Sequence, residues 1–83
     1  MPNKLRQLSG NDVIRFCERN GFAITRTRGS HVNMARIVAG HKQVVTIPKH
    51  DEIDRGTLRN VFKMLMPYIS ENELRLVFYT SDK

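Results

Sequence analysis

The sequence has almost nothing that would crosslink a small fold, because only one of its 83 residues, Cys17, is a cysteine. One cysteine excludes an internal disulfide and leaves no cysteine cluster for a metal. No apolar run approaches the roughly 20 residues of a membrane span, and the N-terminal MPNKLRQLSG lacks the apolar stretch of a signal peptide. We therefore expect a cytoplasmic chain with no membrane contact, folded as one domain over residues 1–83.

Common enzyme motifs are also missing from the sequence. It contains no glycine-rich phosphate loop, no nucleophile elbow and no zinc-ligand spacing. The histidines His31, His41 and His50 are far apart and have few cysteine or carboxylate neighbours, so we predict no metal site and no cofactor. The close carboxylates of residues 51–54 are typical of a solvated loop before a helix.

Acidic residues are absent between Glu18 and Asp51, a stretch that holds six Lys or Arg and all three histidines. Residues 1–49 carry nine basic and two acidic residues, a net charge of +7, whereas residues 50–83 carry five and six, a net charge of −1. Their sum is the +6 of the whole chain. Clustered cations gain affinity for phosphates by releasing counterions, so this asymmetry favours a nucleic-acid partner. A solvated surface that keeps the protein soluble remains the alternative.

Three helices are predicted from capping sequences and apolar spacing. Ser9 and Asp12 form a capping-box pattern before an apolar stripe that ends near Gly21, and Cys17 lies on that stripe as a core residue rather than a nucleophile. Apolar residues at i, i+3, i+4, i+7 and i+8 within 58–66 predict a second helix, capped by Asp54 or Thr57 and ended by a proline. A full capping box at residues 70–73 predicts a short third helix.

Between the first two helices the sequence predicts three strands, over residues 22–28, 31–37 and 43–47, with a hairpin connection at 38–41. The apolar Val32 and Met34 alternate with His31 and Asn33, so we expect the second pair to project away from the helices. The fold class is therefore α+β, in the order helix, three strands, helix, helix.

By elimination, a histidine in basic surroundings is the candidate for chemistry, because histidine exchanges protons near neutral pH and cations stabilise a charged phosphoryl transition state. His31 follows Gly29-Ser30 at a turn-to-strand junction and lies near Arg26 and Arg28. An ordinary surface histidine is the alternative at this position.

An ordered set of short motifs resembles the HicA family of bacterial toxins. The motifs are Leu8-Ser9-Gly10, Asn20-Gly21-Phe22, Gly29-Ser30-His31, Val45-Thr46-Ile47-Pro48, His50 and Gly56-Thr57-Leu58-Arg59. They extend over nearly the whole chain. The resemblance implies a fold similar to the double-stranded-RNA-binding domain, α-β-β-β-α, here with a short extra C-terminal helix. It also implies that His31 is the catalytic residue of a messenger-RNA interferase, neutralised by a HicB-like antitoxin that covers the active site.

The function that follows is a metal-independent endoribonuclease with one catalytic histidine and no cofactor. In that mechanism the 2′-hydroxyl of RNA attacks the adjacent phosphate. Ser30 is a candidate to orient the imidazole or the phosphate, and His50 is a candidate second acid or base. Four cations are candidates for contacts with the RNA backbone, namely Arg26, Arg28, Arg36 and Lys42.

Two other classes of function fit the same residues. One is a non-catalytic module that grips RNA by shape with the basic face, and the other is an interaction protein whose basic face docks an acidic partner. Incubation with single-stranded RNA separates the enzyme from the RNA-binding module, because only an enzyme shortens the RNA.

Overall fold

The computed structural model describes residues 4–80. The elements are helix α1 (Gly10–Arg19), strands β1 (Ala23–Arg28), β2 (His31–Val38) and β3 (His41–Pro48), and helices α2 (Arg55–Leu65) and α3 (Glu71–Phe78). The strands form one antiparallel sheet in the order β1-β2-β3. The predicted α+β class and the order of its elements are confirmed.

Helix α1 begins at the predicted capping box. The Asp12 N–H donates to Ser9 Oγ and the Ser9 N–H donates to the Asp12 carboxylate, each at 3.0 Å. Two of the N–H groups left free at a helix start are thus satisfied reciprocally. The helix ends at Asn20, and Gly21 follows with a φ of +93°, the left-handed conformation that favours glycine.

The hairpin between β2 and β3 is tighter than the sequence predicts. Ala39 and Gly40 form the whole turn, with φ angles of +52° and +80°, so Val38 and His41 pair with each other as strand residues. Two successive positive φ angles match the twist of the flanking strands. As a result β3 begins at His41 rather than residue 43. It also extends to Pro48, whose missing N–H is tolerated because β3 is an edge strand.

The register of the strands gives the sheet two chemically different faces. Directly paired residues share a face, and successive residues alternate between faces. Val32 pairs with Ile47 and Met34 with Val45 on the helix face, and all four are buried. The opposite side is called the His31 face, and it carries Arg26, Arg28, His31, Asn33, Lys42, Val44, Thr46 and Pro48. His31 and Asn33 therefore lie on the face opposite Val32 and Met34, as predicted, but His31 is not remote from the helices, because it shares a groove with residues of α2.

The two C-terminal helices begin at their predicted caps. The Asp54 carboxylate accepts the Thr57 N–H at 2.9 Å at the start of α2, which settles the choice between Asp54 and Thr57 as cap. At α3 the Ser70 hydroxyl accepts the Glu73 N–H at 3.3 Å. The reciprocal bond of a full capping box is not formed there, so that prediction is half correct.

One cluster of buried side chains joins α1, β2, β3, α2 and α3. Cys17 lies in this cluster with no exposed surface, and burial raises the pKa of its thiol to about 12. A neutral, inaccessible thiol is not a nucleophile, in agreement with its predicted core role. Within residues 4–80, no helix has the length and apolar character needed to cross a membrane.

Candidate active site around His31

His31 is the first residue of the central strand, and the turn before it fixes its position. Gly29 and Ser30 form a two-residue connection, with Gly29 at a φ of +58°. Across the sheet His31 pairs with Arg28 of β1 and with Pro48 of β3. A backbone hydrogen bond of 2.6 Å from Lys49 to the Ser30 carbonyl extends this pairing beyond the end of β3. An exposed histidine is thus held on backbone that is bonded on both sides.

His31 lines an open groove between the sheet and helix α2. The groove has a volume of about 230 Å³ and is lined in addition by Thr46, Pro48, Thr57, Asn60, Val61 and Met64. No lysine, arginine or carboxylate is among these residues. His31 is therefore the only lining residue whose side chain can act as an acid or a base.

Three of the four predicted RNA-binding cations share the face of His31. Arg28 is its direct cross-strand neighbour, Arg26 pairs with Asn33 one step further along β1, and Lys42 lies nearer the hairpin end. All three are exposed, and neither of the two salt bridges within residues 4–80 involves them. Their charge is consequently free to attract an anion to this side of the sheet.

Arg36, the fourth predicted cation, lies on the helix face and is committed to the protein. Its guanidinium donates to the Gln43 side chain and to the carbonyls of Asn20 and Tyr68, each at 2.6 Å. It also lies 4.6 Å from the centre of the Phe22 ring. We therefore assign Arg36 a structural role and leave it out of the candidate site. Its parity with Val32 and Met34 was the sequence signal for this placement.

Ser30 and His50 lie close to the site in sequence but differ in what they contribute. Ser30 is exposed in the turn that immediately precedes His31. His50 follows β3 and does not line the groove, and its carbonyl accepts the Gly10 N–H at 2.8 Å. Hydrogen bonding by Thr57 lowers the pKa of the Asp54 carboxyl, with a smaller contribution from the charge of His50. His50 therefore lies outside the groove, and its backbone carbonyl is used by α1.

Gly10 allows α1 to pack directly against the backbone at the end of β3, a role that the sequence analysis did not predict. A Cβ at this position would overlap the Pro48 carbonyl oxygen and lie 2.5 Å from the Lys49 Cα. The start of α1 therefore touches the backbone of the segment that pairs with His31. Glycine is required here by close approach. The Ser9-Gly10 pair before a helical stripe was the only available signal.

Thr57 and Asn60 were also missed as neighbours of His31. They lie three residues apart and so share one side of α2, next to the apolar stripe of that helix. Their spacing predicts a strip of polar side chains along one edge of the apolar face of α2. These two polar residues come close to His31 only because α2 packs against β3.

Within residues 4–80, no group of three or more histidine, cysteine, aspartate or glutamate side chains is arranged to hold a metal ion. The polar centre of the candidate site consists of one imidazole, nearby cations, and hydroxyl and amide groups.

Comparison with known proteins identifies the family. Neither a curated protein nor a solved structure matches the chain. A family model described as the HicA toxin of bacterial toxin-antitoxin matches residues 10–65, which is more than half of the chain. The matched range runs from the start of α1 to the end of α2 and includes His31 and every other residue of the groove. The chain belongs to the HicA family, the toxins of bacterial toxin–antitoxin systems.

Proposed function

We propose that this toxin is a metal-independent endoribonuclease that cleaves messenger RNA, with His31 as its catalytic residue. The observation that carries the proposal is the position of His31, an exposed imidazole beside Arg28 on a cationic strand face and at the lining of a groove. A catalytic base needs access to substrate, and a phosphate needs a positive surface beside it. Both conditions meet at this residue.

In the proposed reaction His31 removes the proton from a ribose 2′-hydroxyl. The 2′-oxygen forms a bond to the adjacent phosphorus as the bond to the 5′-oxygen breaks, and water supplies a proton to that leaving oxygen. The products are a 2′,3′-cyclic phosphate and a 5′-hydroxyl end. Arg28 stabilises the extra negative charge on the phosphate, while Arg26 and Lys42 hold the neighbouring backbone. In this proposal Ser30 orients the phosphate, and water rather than His50 supplies the proton, because His50 does not line the groove.

The partner that we propose is a HicB-like antitoxin that covers His31. A toxin of a toxin–antitoxin system has an antitoxin partner, and the exposed cations of the His31 face would attract an acidic one. Covering this face would exclude RNA and inhibit cleavage without any change in the fold of the toxin.

The proposal is tested by comparing His31→Ala with His41→Ala. His41 is also exposed, but it lies at the hairpin end of β3 and outside the groove. We expect His31→Ala to abolish RNA cleavage and growth inhibition, with an unchanged circular dichroism spectrum. His41→Ala should keep both activities. Cleavage by a folded His31→Ala protein at the wild-type rate would contradict the assignment.

Two substrate and buffer conditions test the mechanism independently. Cleavage should survive a chelator, because the described residues contain no metal-ligand cluster. It should stop when the nucleotide at the cut carries 2′-deoxyribose, because the proposed nucleophile is then missing. Binding of RNA without any shortening by the wild-type protein would favour a non-catalytic RNA-binding module instead.

A further inference from the structure

The groove beside His31 has the size of a subsite for one small planar group. Its volume of about 230 Å³ lies below the roughly 300–1,000 Å³ of pockets that enclose drug-sized ligands. This volume is about that of eight water molecules in the liquid. It is also open along one side, so a group attached to a long chain can enter without threading.

The walls of the groove are suited to an aromatic ring with a polar edge. Pro48, Val61 and Met64 supply apolar surface on which a flat ring can stack. The Thr46 hydroxyl already donates to the Asn33 side chain at 2.8 Å. The bond from Thr57 to Asp54 is made by the Thr57 backbone N–H, so the Thr57 hydroxyl adds a polar group to the groove. Asn60 has the only amide side chain among the lining residues, and this exposed amide presents a donor and an acceptor side by side.

The groove differs in charge from the cationic surface proposed to bind phosphate. The groove lies on the β3 side of His31 and contains no lysine or arginine. Arg26 and Arg28 belong to β1, which is on the other side of His31 in the sheet. Arg28 is the direct cross-strand neighbour of His31 and favours a phosphate on the β1 side of the imidazole, whereas Lys42 lies further away at the hairpin end of β3. An uncharged group is better suited to the α2 side. His31 lies between the two.

We propose that this groove binds one unpaired nucleobase of the RNA, that of a nucleotide adjoining the scissile phosphate, and that Asn60 reads the identity of that base. The inference rests on the proposed ribonuclease function. Sequence-specific RNA recognition uses unpaired bases, whose faces stack on side chains and whose edges accept and donate hydrogen bonds. An asparagine amide offers one donor and one acceptor side by side, the arrangement used to recognise base edges.

The experiment measures kcat/KM on short single-stranded RNAs that differ only at the nucleotide adjoining the cut, with each of the four bases and with an abasic ribose. Wild-type protein is compared with Asn60→Leu, which keeps a helix-forming side chain but has no hydrogen-bonding group. Asn72→Leu is the matched control, because Asn72 is an exposed asparagine of α3 outside the groove. Circular dichroism and thermal unfolding verify that each variant is folded.

We expect the wild type to prefer one base by about tenfold over the least favoured one. Asn60→Leu should reduce that preference to about twofold, chiefly by slowing cleavage of the favoured RNA, and Asn72→Leu should keep it. The abasic RNA should be cut more slowly than the favoured RNA. Equal preferences in wild type and Asn60→Leu, or an abasic RNA cut as fast as the best substrate, would overturn the inference while leaving the ribonuclease function intact. Failure of the wild type to cut any RNA would instead overturn the function on which the inference rests.

Discussion

Gly10 and His50 are joined through their backbones, with the Gly10 N–H donating to the His50 carbonyl at 2.8 Å. This bond fastens the first residue of α1 to the segment that leaves β3. The same segment donates to the turn before the proposed catalytic histidine, through the 2.6 Å bond from Lys49 to Ser30. The position of His31 therefore depends on a contact that involves neither its own strand nor the groove.

Replacing Gly10 by alanine should damage both stability and cleavage. The new methyl group would overlap the Pro48 carbonyl, so either α1 or the end of β3 must move. We expect the free energy of unfolding to fall by about 3 kcal/mol, measured by urea denaturation. Gly56→Ala is the control, because nothing lies within 4 Å of a Cβ there, and it should raise stability by up to about 1 kcal/mol. Equal stabilities for the two variants would contradict the close-approach explanation.

Substituting Arg26 and Arg28 together by alanine should weaken RNA binding and reduce its dependence on salt. Each phosphate contact on single-stranded RNA contributes about 0.7 to the slope of log affinity against log salt, so two lost contacts should reduce the slope by about 1.4. Fluorescence anisotropy on non-cleaving His31→Ala protein measures this directly. Arg55→Ala with Arg59→Ala removes two exposed charges of α2 that do not line the groove, and it should leave the slope nearly unchanged.

Arg36→Leu should lower stability rather than RNA affinity. The substitution leaves the Asn20 and Tyr68 carbonyls without their donor and removes the cation from the Phe22 ring. Loss of hydrogen bonds to a charged, half-buried group predicts a decrease of about 2 kcal/mol in the free energy of unfolding. The salt slope of RNA binding should equal that of the parent protein. A reduced slope without a loss of stability would return Arg36 to the RNA surface.

Antitoxin and RNA should exclude each other if both occupy the His31 face. The measurement is a competition in which RNA bound to His31→Ala protein is followed as a HicB-like antitoxin is added, one that neutralises growth inhibition by the wild type. We expect RNA to be released as the antitoxin saturates the toxin. A stable ternary complex with undiminished RNA affinity would show that inhibition acts away from this face.

Local sequence signals were sufficient for much of the fold. Side chains that cap a helix act within four residues, so the starts of α1, α2 and α3 follow from Ser9, Asp54 and Ser70. The hairpin was harder, because the positive φ of Ala39 is unusual for alanine and is imposed by the pairing of the strands around it. A backbone conformation that is imposed by strand pairing cannot be predicted from the residue type alone.

The candidate site was predictable only where it is local. Gly29-Ser30-His31 is contiguous, and the two-residue turn pairs Arg28 with His31 across the strands. Thr57 and Asn60 are more than 25 residues further along the chain, and they reach the histidine only through the packing of α2 on β3. The sequence alone did not separate Arg36 from the other three candidate cations, because its hydrogen bonds to Asn20 and Tyr68 join residues far apart in the chain.

Strand β1 adds a constraint of a different kind. It is an edge strand of the sheet, and all six of its residues are exposed. Its register with β2 is irregular between Ile24 and Arg26. Edge strands recruit other chains unless charge or a bulge prevents it, and β1 has both. We therefore expect the arginines proposed to hold RNA also to oppose pairing of β1 with a second copy of the toxin. Neutralising them will carry a tendency to self-associate, so a weak RNA-binding variant must be verified as monomeric before its affinity is interpreted.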